Sequence, residues 1–175
     1  LEMLSNDRGL PINLHNKIWE SKQKLTLIKL KEYLKEDEKI ISILKKLKED
    51  GIKVCVASNS IRETIKISLL RIGAMEYIDY FVSNEDISCP KPHPEIYMHC
   101  MIKEKVLPKE TLIIEDSYIG RTSAISSGAK LCAVKNPEEV TLEKIYESMD
   151  KEVRDIKWED DKMNILIPMA GAGSR

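Results

Sequence analysis

In "LIIEDSYIG", residues 112–120, an apolar run ends in two adjacent carboxylates, Glu115 and Asp116, followed by Ser117 and, three residues on, Gly120. A continuous apolar run, rather than an alternating one, marks a strand covered on both faces, as strands of parallel sheets are. The same grammar recurs on either side. "IKVCVAS" (52–58), "YFVS" (80–83) and "KLCAV" (130–134) read as further buried strands, separated by helices over 61–72, 94–105 and 118–127, with another helix over 38–50 before the first strand. A Ser60-x-x-Glu63 capping box opens the helix at 61, Gly51, Gly73 and Gly128 follow helix ends, and Pro94 stands at a helix start. Repeated strand-helix-strand units predict an α/β fold: a doubly wound, Rossmann-like parallel sheet with helices on both faces.

In such a sheet ligands bind beyond the carboxyl ends of the strands, so the polar residues that follow each strand are the candidates for chemistry. Ser58 and Asn59 follow one strand, Asn84, Glu85 and Asp86 follow the next with Lys91 just beyond, and Glu115 and Asp116 follow the third. Adjacent carboxylates in a crevice repel unless a cation joins them, and Mg²⁺ takes oxygens from one or two carboxylates together with phosphate oxygens. A lysine and a serine hydroxyl are natural holders of a phosphoryl group. Each piece alone also has a plain structural reading. Asp116 and Ser117 stand where a helix N-cap belongs, Ser58 suits a turn, and Lys91 sits in a proline-stiffened loop, "CPKPHPEIY" (89–97), where His93 is either a ligand or incidental. Tyr97, Cys100 and Met101 form a helix face that reads as core, and His15 and His99 lie in helical patterns. The ordered combination is what points to a metal and a phosphate.

Composition narrows the partners. Of 175 residues, 28 are Lys or Arg and 29 Asp or Glu, so the net charge of −1 gives no field to draw nucleic acid or an anionic membrane. A small or specific ligand is expected. Cys55, Cys89, Cys100 and Cys132 lack CxxC spacing, and two lie in buried strands, which predicts reduced thiols and a cytoplasmic setting. No apolar run approaches the ~18 residues of a membrane span, and "LEMLSNDRGLP" lacks the order of a signal peptide.

With these motifs in hand, the chain resembles the haloacid dehalogenase-like hydrolases: "VCVASNS", "KPHPEIY" and "LIIEDSYIG", after a helical segment, are similar to that family's second, third and fourth motifs. The closest subgroup carries a small helical cap and includes beta-phosphoglucomutase and sugar-phosphate phosphatases. The resemblance implies that Ser58 and the backbone of Asn59 bind the transferring phosphoryl group, that Lys91 neutralises it and steadies the nucleophile, and that Glu115 and Asp116 hold Mg²⁺. Residues 1–34 would be the later part of the cap, with Lys22 in "SKQK" (21–24) nominated to touch substrate, and 35–150 the core. The implied substrate is a small phosphomonoester, probable class sugar phosphate; a phosphohexomutase and a noncatalytic phosphate- or partner-binding module are the alternatives.

The family's first motif, an apolar strand ending in Asp-x-Asp, does not occur in this sequence; "KEDEK" (35–39) and "WEDDK" (158–162) follow charged segments. Its first Asp attacks phosphorus and its second handles protons, so the chain reads as a fragment whose central strand lies upstream of Leu1, inactive by itself and with an open gap in its sheet. At the other end, 151–162 reads as a charged linker. "MNILIPMAGAGSR" (163–175) resembles the opening of sugar-phosphate nucleotidyltransferases, with Gly171, Gly173 and Arg175 in the nucleotide-contacting positions. That resemblance implies a parent polypeptide that joins the two activities.

Overall fold

The computed structural model describes residues 2–150 and 164–167. Two helices lead, α1 (Glu2–Arg8) and α2 (His15–Tyr33), followed by α3 (Glu38–Glu49), β1 (Lys53–Ala57), α4 (Arg62–Arg71) and β2 (Tyr80–Val82). Then come α5 (Glu95–Glu104), β3 (Thr111–Glu115), α6 (Tyr118–Ser127), β4 (Lys130–Ala133), α7 (Leu142–Asp150) and β5 (Asn164–Ile167). The strands form one sheet in the order β2-β1-β5-β3-β4, and every pairing is parallel.

Alternate residues of the central strands feed two cores, which is why their sequences are apolar throughout. Val54 and Val56 of β1 and Leu112 and Ile114 of β3 pack with α3, α4 and α7 on one face. Cys55, Ala57 and Ile113 pack with α5 and α6 on the other. Full burial of each large aliphatic side chain contributes roughly 1.5–3 kcal/mol, so this double layer, rather than helix propensity, holds the sheet. In α3 the apolar set Ile40, Ile43, Leu44 and Leu47 has the spacing of one helical face, and Asp37 caps the helix by accepting from Ile40 N at 3.0 Å.

The helical pair at the N-terminus rests on the core through α2 and α4. Leu30 is the buried residue of α2, and Arg71 closes the helix end by donating to the carbonyl oxygens of Lys31 (2.8 Å) and Leu34 (3.2 Å). Trp19, Leu25 and Ile28 of the same helix are exposed.

Two details depart from the sequence reading. The Ser60 capping box does not form: α4 starts after Ile61 with no side-chain cap, and its first N–H, that of Arg62, donates to Glu85 Oε2 at 2.8 Å across the rim. The gap expected between β1 and β3 is filled by β5, which pairs through Val54↔Ile165 on one side and Leu112↔Ile165 on the other. Residues 164–167, inside the stretch read as the start of another domain, supply this sheet's central strand; Gly171, Gly173 and Arg175 lie outside the described residues.

Candidate active site

The carboxyl ends of β1 and β3 flank β5, and the loop carrying Lys91 folds over them. Lys91 is inserted with 9% of its surface exposed, and its Nζ donates to Glu115 Oε1 at 2.5 Å and to Ala57 O at 3.0 Å. The ammonium lies 4.7 Å from the centre of the Tyr97 ring. Burial pushes the Lys91 ammonium below its ordinary pKa, and the Glu115 charge opposes that shift. Asn59 clasps the Lys91 backbone from both sides, accepting from Lys91 N at 3.0 Å and donating to Lys91 O at 3.2 Å. The sequence expectation used the Asn59 backbone; the structure shows its side chain positioning the lysine loop.

Glu115 is 1% exposed. Its Oε1 accepts from Tyr97 OH as well as Lys91, and its Oε2 accepts from Ser117 Oγ at 3.1 Å. Burial, then the Glu115 charge, raises the Tyr97 phenol above its ordinary pKa, so the phenol stays a donor. Ser117 also caps α6 by accepting from Gly120 N at 3.1 Å, so the N-cap reading holds for Ser117. Gly120 is where the carboxylate gets its room: a Cβ there would lie 1.9 Å from Glu115 Oε2.

Asp116 differs from its neighbour. Its backbone oxygen accepts from Arg121 Nη2 at 2.8 Å, while its half-buried carboxylate accepts no hydrogen bond among the described residues. It borders an apolar cavity of about 260 Å³ that reaches Leu30 of α2, Leu34 just past that helix, and Val56 and Ile114 of the sheet. A hard carboxylate that accepts no hydrogen bond among the described residues, at the same rim as the Lys91 ammonium, is a ligand of the kind Mg²⁺ takes. Glu115 fits less directly, since it is enclosed and already takes three donors, two of them on Oε1, whose lone pairs are thereby spent.

Ser58 is buried at the end of β1, its N donating to Val82 O at 3.0 Å and its Oγ accepting from Ser60 N at 3.2 Å. Glu85 and Asp86 are drawn to structural work: Glu85 takes Arg62 N, while Asp86 pairs with the Arg62 guanidinium and closes a capping box on Ser83. Lys22 is exposed on α2, outside this set. Tyr97 was legible only as core; its hydroxyl bond to Glu115 had no sequence signal beyond its place six residues after Lys91. All four cysteines are free, and three of them are buried. No described helix is long and apolar enough to cross a membrane.

Residues 5–134 match the family model described as haloacid dehalogenase-like hydrolase. The pyrophosphatase PpaX of Bacillus cereus (strain G9842) is 27% identical over 103 residues, which are 59% of this chain and 48% of that one. The PpaX protein of Caldanaerobacter subterraneus subsp. tengcongensis is 34% identical over 103 residues, 59% of this chain and 47% of that one. The chain spans about half the length of the curated relatives it matches. Among solved structures, beta-phosphoglucomutase from Clostridium difficile shares the fold with a TM-score of 0.70, covering 86% of this chain and 74% of that one at 21% identity. A HAD-superfamily hydrolase of subfamily IA from Geobacter sulfurreducens PCA is 25% identical with a TM-score of 0.52, over 58% of this chain and 51% of that one.

Proposed function

We propose that this chain, which belongs to the haloacid dehalogenase-like hydrolase family, supplies the phosphoryl- and metal-binding rim of a Mg²⁺-dependent phosphohydrolase. The substrate is a small phosphomonoester, a sugar phosphate by class. One observation carries the reading: the buried Lys91 ammonium, fixed by Ala57 O and Glu115, stands at the same end of the sheet as the Asp116 carboxylate, which accepts no hydrogen bond among the described residues. An ammonium has three donors, and two are spent on the protein; the third suits a phosphoryl oxygen.

In this mechanism Ser58 Oγ and Lys91 Nζ bind the phosphoryl oxygens. Asn59 keeps the lysine loop in register, and Glu115, with Tyr97 and Ser117, keeps Nζ in place without moving a proton. Mg²⁺, held by Asp116, would supply charge neutralisation as phosphorus is attacked. Closure of the α1–α2 segment over the rim excludes water. The nucleophile belongs to an Asp-x-Asp that this sequence does not contain, so the reaction is a proposal about the parent polypeptide. The tail at 163–175, through Gly171, Gly173 and Arg175, supports a parent that also carries a nucleotidyltransferase and acts in the formation of a sugar nucleotide. The reaction belongs to a cytoplasmic setting.

A noncatalytic phosphate-binding module is the second reading, favoured by β5 occupying the central position with Pro168, Met169 and Ala170 next in sequence and no carboxylate. Phosphate release from a panel of sugar phosphates with Mg²⁺, by this chain and by one extended upstream through an apolar strand ending in Asp-x-Asp, separates the two. Release by the extended chain alone, abolished by Lys91→Ala and Asp116→Asn, is expected. A well-folded extended chain that binds phosphate and releases none favours the module.

A further inference from the structure

Outside the rim, the loop that carries Lys91 holds a second set of ligating groups. A sulfur, an imidazole nitrogen and a carboxylate oxygen, from Cys89, His93 and Glu95, lie within 4.8 Å of one another. We propose that Cys89, His93 and Glu95 form a binding site for a borderline-soft divalent cation of the Zn²⁺ class, distinct from the Mg²⁺ position at Asp116, with a fourth coordination place open to water.

The donor set argues for that class of ion. A thiolate, an imidazole and a carboxylate are zinc ligands, while Mg²⁺ takes oxygens alone. With bonds of about 2.0–2.3 Å, tetrahedral ligands lie roughly 3.5 Å apart, so the three groups need to close by little more than an ångström. Cys89 and His93 are exposed and free to make that movement by side-chain rotation.

The backbone is already set. Pro90, Pro92 and Pro94 limit the loop's freedom, His93 N donates to Pro90 O at 3.0 Å, and Ser123 Oγ holds His93 O at 2.8 Å. Little ordering is left to oppose binding. Glu95 is fixed by accepting from Ser88 N and Cys89 N, both at 2.7 Å, which leaves each oxygen a further lone pair for a metal. His93 Nδ1 now accepts a long, 3.2 Å hydrogen bond from Glu95 N. A metal taken by that nitrogen would replace a weak bond with a strong one, and one taken by Nε2 would leave the Nδ1 bond to hold the ring. Since Lys91 lies between Cys89 and His93, a bound ion would brace both shoulders of the lysine loop.

Cobalt reports the site directly, because Co²⁺ bound by thiolate gives a sulfur-to-metal charge-transfer band that no oxygen site produces. Titrated into the full chain under a phosphine reductant, Co²⁺ is expected to raise that band to one equivalent. Zn²⁺ is expected to displace it and excess Mg²⁺ to leave it. Cys89 is the exposed cysteine of the chain, so Cys89→Ser removes the band, and His93→Ala weakens Zn²⁺ binding by at least about tenfold. Asp116→Asn leaves the cobalt titration unchanged. Absence of the band in folded wild-type protein, or its persistence in Cys89→Ser, overturns the proposal. Neither result bears on phosphate release, which tests the rim separately.

Discussion

Gly120→Ala is the sharpest perturbation of the buried ion pair, because it adds one methyl group and no charge. Gly120 is the third residue of α6, and its backbone is ordinary helix, so the change should by propensity alone stabilise by at most about 1 kcal/mol. The structure opposes this, since the new carbon would lie 1.9 Å from Glu115 Oε2, 2.0 Å from Cδ and 2.3 Å from Oε1. The carboxylate has to leave, and with it go its bonds to Lys91 Nζ, Tyr97 OH and Ser117 Oγ. Stripping the partner from a buried charge costs about 3–5 kcal/mol. Set against the propensity gain, the net loss is about 2–4 kcal/mol, a large part of the roughly 5–15 kcal/mol that holds a domain folded.

Urea titrations of wild type, Gly120→Ala, Glu115→Ala and the double variant at neutral pH measure the loss and its cause together. In the Glu115→Ala background the methyl enters vacated space, so adding Gly120→Ala should be neutral or mildly stabilising. A single variant within about 0.5 kcal/mol of wild type, or an equal loss in both backgrounds, would refute the account of Glu115 as tightly housed by Gly120.

Two further outcomes follow from the same structure. Asp79 accepts from Lys48 Nζ at 2.7 and 2.8 Å and from Val54 N at 2.7 Å; burial pulls its carboxyl upward, but these bonds outweigh it and hold the group below its ordinary value. A depressed carboxyl contributes stability above the unfolded value of 3.8 and loses it as pH falls through the folded one. Asp79→Asn should therefore cost about 1–2 kcal/mol at pH 7, with the gap to wild type narrowing below pH 4 in urea midpoints; a gap independent of pH sinks the assignment. Lys105 ends α5 in the left-handed region at φ 57°. Lys105→Gly should stabilise by roughly 0.5–1 kcal/mol and raise the melting temperature, whereas a fall would mean that the lysine side chain supports the turn.

What the sequence made legible was whatever repeats locally. The apolar runs at 112–114 and 54–57 announced parallel strands because each has to bury both faces, and the residues after them marked the rim. Less legible was the division of labour within the rim. Two adjacent carboxylates look equivalent in one dimension, but Glu115 is the last residue of β3 and points into the protein beneath Gly120, while Asp116 has left the strand and stays at the edge. Ser60 looked like a cap because its spacing to Glu63 suited one; the helix starts one residue later, after Ile61, and its first N–H reaches Glu85 across the rim. The partner of Lys91 from Tyr97 and the donor to the centre of the sheet from 164–167 depend on distant segments meeting, which no local pattern records.

The position of β5 bears on the order in which this molecule can assemble. Its neighbours β1 and β3 are synthesised well before it, and they do not pair with each other in the sheet. Residues 2–150 by themselves form two separate ribbons, β2-β1 and β3-β4, each with one open side toward the place that β5 takes in the middle of the sheet. The joining step is an encounter between parts remote in sequence, the kind that slows folding. It is also a race: residues 151–163 tether β5 and set its effective concentration, and any other apolar strand, including one from a second molecule, enters only by outrunning it. Crowding on the ribosome and dilution in a refolding tube should thus give different proportions of self-completed and exchanged protein from one sequence.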